Sequence, residues 1–562
     1  MNKTESFNYI FRKSPLIRTL LWCVLALVFF IGSFIFGIQI KRTPVINSIT
    51  PPVGAPGDLI IISGKNFGNV KDTSYVEFGG NKLTSSSYLS WTDAEIKVVL
   101  PANIKDGLVF VETKDARSKP AFFSNTSEVP VPVAQNSQTT MPIITGITPE
   151  KIAPGTLITI SGVNFGNSRE RSKVFFSVDR EIKNEESNSN QENDDFSFIE
   201  ANEDNFDYVS WNDNQIQVYV PDGATSGFMY VQTSKGKSVN RKIAMDNKAG
   251  KKSFISPKTY IIQLNVDIDE TNGDKDSAII LRCPRPFETP SQPSVKLAEC
   301  SPEPVISDFQ HTIIHQTTGA KTSAGKRRFK QNFAVTVYET RTELSAARLD
   351  GSSSINKSFL AACTKADECV PADNAQIIEL AKAIVKTEKN PYNMAALIYN
   401  YMLKNFTLRN ANKDPVALLT KKTGNAYDFA IIYTALLRAC GIPALPDSGI
   451  LVSSDLKSID HWWCEFFVSG FGWIPVDPAL GAGLNFQAWQ IDITPSQYYF
   501  GNLDGQHILF SRGWNEIKPS APNNKTVHRP RSYALQSIWE EASGKVIKYS
   551  SYWSNPIIVG VY

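Results

Sequence analysis

Two short segments hold most of this chain's capacity for proton chemistry. His461-Trp462-Trp463-Cys464-Glu465 carries an imidazole, and Gly472-Trp473-Ile474-Pro475-Val476-Asp477-Pro478 carries a carboxylate. A third segment, Thr423-Gly424-Asn425-Ala426-Tyr427-Asp428-Phe429-Ala430, runs into the apolar stretch Ile431 to Leu437. A thiolate beside an imidazolium at a helix N-terminus is one way a cysteine becomes a nucleophile. An acidic group then orients the imidazole. The segment from Thr423 to Ala430 has no cysteine. Cys440 lies 14 residues past Ala426 on the same expected helix, roughly 21 Å away at 1.5 Å per residue. Cys464 stands at an odd offset from His461, so a strand turns it to the opposite face, where it reads as a small buried hydrophobe. Tyr427 and Asp428 read as first-turn packing, Asp being favoured at a helix N-terminus.

The order of these segments resembles the transglutaminase-like (papain-like cysteine) superfamily: a Cys opening a buried helix, a His-x-Trp-x-Glu strand, then a Gly-Trp-x-x-x-Asp-Pro strand. The resemblance implies that His461 is the base, Asp477 its orienter, and Ala426 the position where the nucleophilic Cys is missing. Trp463, Glu465, Gly472, Trp473 and Pro478 match the same pattern. Trp462 replaces a residue that is small in the family, and Leu445 stands where Arg often follows Gly-Ile-Pro-Ala. Trp462 and Trp463 are the expected binding side chains. No nucleophile at 426 implies a domain that binds a protein or cell-wall peptide without turning it over. The alternatives are an active acyltransferase or peptide amidase with another nucleophile, and a structural envelope spacer. No cofactor and no metal site is expected, since the five histidines are scattered and no Cys-x-x-Cys occurs.

The elements that position these residues read as an α+β core over 372–515, followed by an extension over 516–562 that looks helical around Ala534 to Glu541 and then strand-like. Ile377, Leu380, Ala381 and Ile384 form a helical stripe between Asp373 and Lys386. A second helix runs from Asn390-Pro391-Tyr392 to Phe406. Before the core, residues 251–350 alternate as in a β-sandwich-like domain, with Tyr260 to Asp267, Ser277 to Arg282 and Phe333 to Tyr338 as strands.

An internal repeat precedes that domain. Pro44-Val45-Ile46-Asn47-Ser48-Ile49-Thr50-Pro51 and Ile62-Ser63-Gly64-Lys65-Asn66-Phe67-Gly68-Asn69 recur 98 residues later, at Pro142 to Pro149 and Ile160 to Asn167. Ser90-Trp91-Thr92-Asp93 recurs 120 residues later at Ser210 to Asp213, so the second copy carries 22 extra residues. They fall in an acidic, Asn- and Ser-rich stretch at about 181–207, which is expected to be disordered. Both copies, 44–126 and 142–246, resemble IPT/TIG domains, which are all-β and immunoglobulin-like. They are expected to act chiefly as spacers.

Residues 19–40 form an uncharged apolar run, long enough to cross a hydrocarbon core of about 30 Å as a transmembrane anchor. Lys3, Arg12, Lys13 and Arg18 precede it and Lys41 and Arg42 follow, so 1–18 is expected to be a cytoplasmic tail with the bulk extracytoplasmic. The expected fold class is therefore multidomain: a membrane helix, Ig-like sandwiches, then the transglutaminase-like core. A formal net charge of +3, with no Lys/Arg stripe, argues against nucleic-acid partners. In an oxidising exterior, Cys283 with Cys300 and Cys363 with Cys369 are candidates for disulfides.

Overall fold

The computed structural model describes residues 43–101, 104, 107–125, 141–181, 197–321, 325–349, 356–486, 494–546 and 548–562, with parts of 15–28. Most of the apolar run 19–40 lies outside the described residues. Among the described residues no helix is long and apolar enough to cross a membrane. The chain forms two compact units, 1–100 with 104–129, and 101–103 with 130–562.

The first unit holds the first repeat copy. Leu59–Lys65 alternates buried and open residues, as a half-buried strand must. It pairs with Val45–Thr50 and Glu95–Val99. A facing sheet is built around Tyr75–Phe78 and Gly107–Glu112. Ile60, Ile62, Phe78, Ile96, Val111 and Phe123 fill the space between the two.

The second copy, in the second unit, repeats this plan. Ile143–Thr148, Leu157–Val163, Gln215–Tyr219 and Tyr208–Asn212 form one sheet. The repeated Gly-x-Asn-Phe-Gly has a steric cause. A Cβ on Gly162 would lie 2.0 Å from the Ile143 carbonyl oxygen, and one on Gly64 would lie 2.0 Å from that of Val45. The Asn that follows at 164 takes a positive φ of 64° and donates its side-chain amide to the Met141 carbonyl at 3.1 Å. Gly162→Ala is expected to cost about 1–3 kcal/mol, read as a lowered melting transition with no matching loss for a glycine that has open space, such as Gly146→Ala. The acidic insertion is narrower than the sequence suggests. Residues 182–196 lie outside the described residues, but Ser197–Glu200 is a strand paired with Lys173–Val178. Ser197-Phe198-Ile199 has the β-propensity that its acidic neighbours mask, and Phe198 packs edge-on to Tyr230 at 4.9 Å.

Next comes a sandwich dominated by one long ribbon, Gly250–Asn272 against Arg327–Leu344. The end of the chain completes it. Lys548–Trp553 and Ile557–Val561 join the sheet of that ribbon, and Glu540–Ser543 joins the facing sheet beside Ala278–Pro284. The extension 516–562 is thus part of the 251–350 domain. No helix forms at 534–541. Trp539 is buried between the sheets, and Gln536 and Ser537 bond to backbone of distant segments. Glu541 meets Arg282 at 2.5 Å and Glu540 meets Arg529 at 2.9 Å. Tertiary partners outweigh the local helical pattern here.

Cys283, Cys300, Cys363 and Cys369 are all free thiols. Cys283 and Cys300 approach from facing sheets, but the Gln331 amide lies 3.8 Å from Cys283 and the His315 imidazole lies 3.6 Å from Cys300. Cys363 packs with Phe359 and Trp473, whereas Cys369 sits in a different cluster beside the Tyr427 hydroxyl.

The core places helices α1 (Lys357–Thr364), α2 (Ala375–Val385), α3 (Pro391–Asn405) and α4 (Ala426–Ala439) against a four-stranded sheet. Its strands are β1 (Ala444–Val452), β2 (Ser458–Val468), β3 (Gly472–Val476) and β4 (His507–Arg512), in the order β3-β2-β1-β4. Helix α4 is buried from Ala426 to Arg438 apart from Tyr427, which matches its nearly unbroken apolar sequence.

Candidate functional site

Helix α4 starts with a capping box. The Asn425 side chain accepts from the Asp428 N–H, and the Asp428 carboxylate accepts from the Asn425 N–H at 3.0 Å. Ala426 is therefore the first helical residue. Its methyl group is buried in the core shared with Trp462. Tyr427 meets Trp462 edge-on at 5.6 Å, and the Arg531 guanidinium lies 4.8 Å above the Tyr427 ring.

Strand β2 deals its side chains to two faces. Trp462, Cys464 and Phe466 join the core under α4. Trp463 packs instead with Leu503 and Leu509, and His461 stacks on Trp463 at 6.1 Å. The two tryptophans expected to bind together are thus on opposite faces, as the period of two in a strand requires. Trp463 lines a cavity of about 80 Å³ with Asp447, Glu465, His507 and Arg512. Asp447 Oδ1 is buried there without a hydrogen-bond partner, and burial raises its carboxyl well above the carboxylate range.

His461 and Asp477 meet, with Nε2 2.6 Å from Oδ2. Asp477 also caps helix α5 (Pro478–Gly481), its Oδ1 accepting from the Ala479 and Leu480 N–H groups at 2.9 and 2.8 Å. Sequence reasoning missed a third member. His507 Nε2 lies 3.1 Å from the same Oδ2, and its Nδ1 lies 2.8 Å from Asp504 Oδ1. The signal available was Asp504-Gly505-Gln506-His507 at the mouth of a strand, but only the β1–β4 pairing carries His507 to His461, 46 residues away. Burial works against charge on Asp477, yet the two imidazoles prevail and hold it well below its ordinary value. Burial likewise opposes the His507 cation, but Asp504 and Asp477 on either side lift it to about 9.

None of the nearby thiols is activated. Burial, with Asp447 and Asp477 nearby, raises Cys464 well above its ordinary value, and its Sγ lies 3.3 Å from the Val476 carbonyl. Cys369, 3.7 Å from the Tyr427 hydroxyl, is pushed up to about 12 by burial. Cys440 caps the far end of α4 and is also raised by burial.

Residues 378–478 match the family model described as Transglutaminase-like superfamily, and 44–127 and 142–247 match that of the IPT/TIG domain. This chain carries a transglutaminase-like domain behind two IPT/TIG domains. A cyclomaltodextrin glucanotransferase of Bacillus licheniformis is 42% identical over 61 residues, 11% of this chain and 8% of that one. An uncharacterized protein of Haemophilus influenzae is 26% identical over 166 residues, 24% of this chain and 45% of that one. This chain therefore spans less than half the length of either relative. Among solved structures, the periplasmic domain of TgpA from Pseudomonas aeruginosa aligns with a TM-score of 0.22 at 16% identity, covering 38% of this chain and 69% of that one.

The second IPT/TIG domain seats on β3 of the transglutaminase-like domain. Asp222 accepts from the Trp473 N–H at 3.0 Å and from Lys252 at 2.6 Å, and Asn205 bonds Arg512, which also pairs with Glu465. Gly472, in the Gly-Trp-x-x-x-Asp-Pro segment, has φ 103°, and a Cβ there would lie 2.0 Å from the Asp222 carboxylate. That glycine is explained by the docking of a neighbouring domain rather than by chemistry at Asp477.

Proposed function

We propose that this protein is a membrane-anchored extracytoplasmic binding or scaffolding protein, and that its transglutaminase-like domain holds a protein or cell-wall peptide without turning it over. The observation that carries the reading is the start of α4 on Ala426, with the His461–Asp477 pair intact beside a domain whose thiols are all raised by burial. A base and orienter with no nucleophile can hydrogen-bond a ligand but cannot form an acyl-enzyme. The seating of the second IPT/TIG domain on β3 supports a composite binding face. The anchor rests on the uncharged run 19–40 and the basic residues before it.

The test is turnover against retention. The full chain in detergent is incubated with labelled peptide amides and cell-wall peptides. No release or transfer is expected, with the same result for His461→Ala, while peptide is retained on the immobilised protein. Hydrolysis or transfer that disappears in His461→Ala would sink the reading in favour of an enzyme. Extraction of the native protein from membranes by carbonate alone would sink the anchor.

A further inference from the structure

The His461–Asp477–His507 cluster has more donors than a base-and-orienter pair needs. We propose that it is a binding site for a divalent transition metal ion of the zinc class. The two Nε2 atoms and the Asp477 carboxylate all lie within 4.8 Å of one another, and all three side chains are buried. Two imidazoles and one carboxylate form a donor set that zinc accepts.

Two of the ligands are also held from behind. The helix α5 N–H groups fix Asp477 Oδ1, leaving Oδ2 toward the histidines. Asp504 fixes His507 Nδ1, and Asp504 is itself held by the Tyr499 hydroxyl at 2.7 Å and the Gln506 N–H at 2.9 Å. A carboxylate behind a histidine sets its tautomer and strengthens the outward nitrogen as a ligand. Zinc bonds of about 2.0–2.1 Å in a tetrahedron place donors about 3.3 Å apart. The 3.1 Å from His507 to Asp477 nearly fits, and the 2.6 Å from His461 must open by under an ångström. The charge fits as well: Asp477 and Asp504 together supply two negative charges to a dication.

The inference does not depend on whether the domain turns over a substrate. To test it, the full chain in detergent is stripped with chelator and titrated with Zn²⁺ by calorimetry, and with Co²⁺ by visible absorption. One ion per chain is expected, with the intense cobalt bands of low coordination. His461→Ala and His507→Ala should each weaken binding at least 100-fold, and Asp504→Asn, which keeps every donor, by 10- to 100-fold. His528→Ala, far along the chain and exposed, should bind as the unaltered protein does. Because the alanine variants can fail to fold, circular dichroism accompanies each, and Asp504→Asn with the cobalt spectrum of the unaltered protein decides on its own. Absence of stoichiometric binding by the unaltered protein, a weak six-coordinate cobalt spectrum, or binding undiminished in folded His507→Ala would each overturn the proposal.

Discussion

A cysteine installed at position 426 is expected to react with a thiol probe near pH 6 at least tenfold faster than any native thiol of the protein. Position 426 is the first residue of a capped 14-residue helix, where the unpaired N–H groups favour a thiolate. Arg531 adds a cation, 3.5 Å from Asp428 and stacked over Tyr427. The native thiols lack that helix start to offset burial, which raises Cys464 well above its ordinary value, Cys369 to about 12 and Cys363 to about 11. Alanine to cysteine adds one sulfur atom, a small change at a buried position. Mass spectrometry of labelled peptides gives the readout. Labelling of native Cys464 or Cys440 as fast as the new thiol would show that the burial argument is wrong. Rapid labelling of Ala426→Cys that slows in the double variant with His461→Ala would show that the imidazole also contributes to activation.

Asp477→Asn is expected to be the most destabilising single change in the domain, by about 3–5 kcal/mol, because it removes one partner from a buried charged cluster. Asp477 accepts two helix N–H groups and two imidazoles and is fully buried. The change should also alter how stability depends on pH. His507 is raised from an unfolded value of about 6.5 to about 9. Its contribution, about 3 kcal/mol for a shift of this size, is present in full below the unfolded value and is lost as pH rises through the folded one. Asp477 is depressed, so its contribution is present above about pH 4 and is lost on acidification. Thermal melts followed by tryptophan fluorescence in chelator-containing buffer should show stability falling between about pH 6.5 and 9. In Asp477→Asn that alkaline decline should shrink, because only Asp504 then holds the His507 cation. A variant with an unchanged melting point and an unchanged pH profile would rule out a charged cluster.

Both expectations start from residues that stand out in the sequence, but they rely on the fold to different degrees. His461 and Asp477 are readable because they sit in strand segments whose flanking residues follow a recurring pattern. The helix start at Ala426 is readable because it announces itself through Asn425 and Asp428. His507 was not readable, since nothing local links it to a residue 46 positions earlier. The same holds for the helix expected at 534–541. Ala534, Leu535 and Ile538 repeat at helical spacing, yet sheet pairing and the buried pairs Arg282–Glu541 and Arg529–Glu540 take that segment into irregular and strand structure.

By itself the sequence determined the repeat, the alternating strands and the buried helix that opens on alanine. These are local matters: periodicity, capping and the steric demands of a few glycines. Only the tertiary structure decided that the end of the chain closes the third sandwich, that the second IPT/TIG domain presses Asp222 against Gly472, that Trp462 and Trp463 point apart, and that a second histidine shares the Asp477 oxygen. Each of these joins segments far apart in sequence, and burial of apolar area and satisfaction of buried charge choose among such joinings with no local signal.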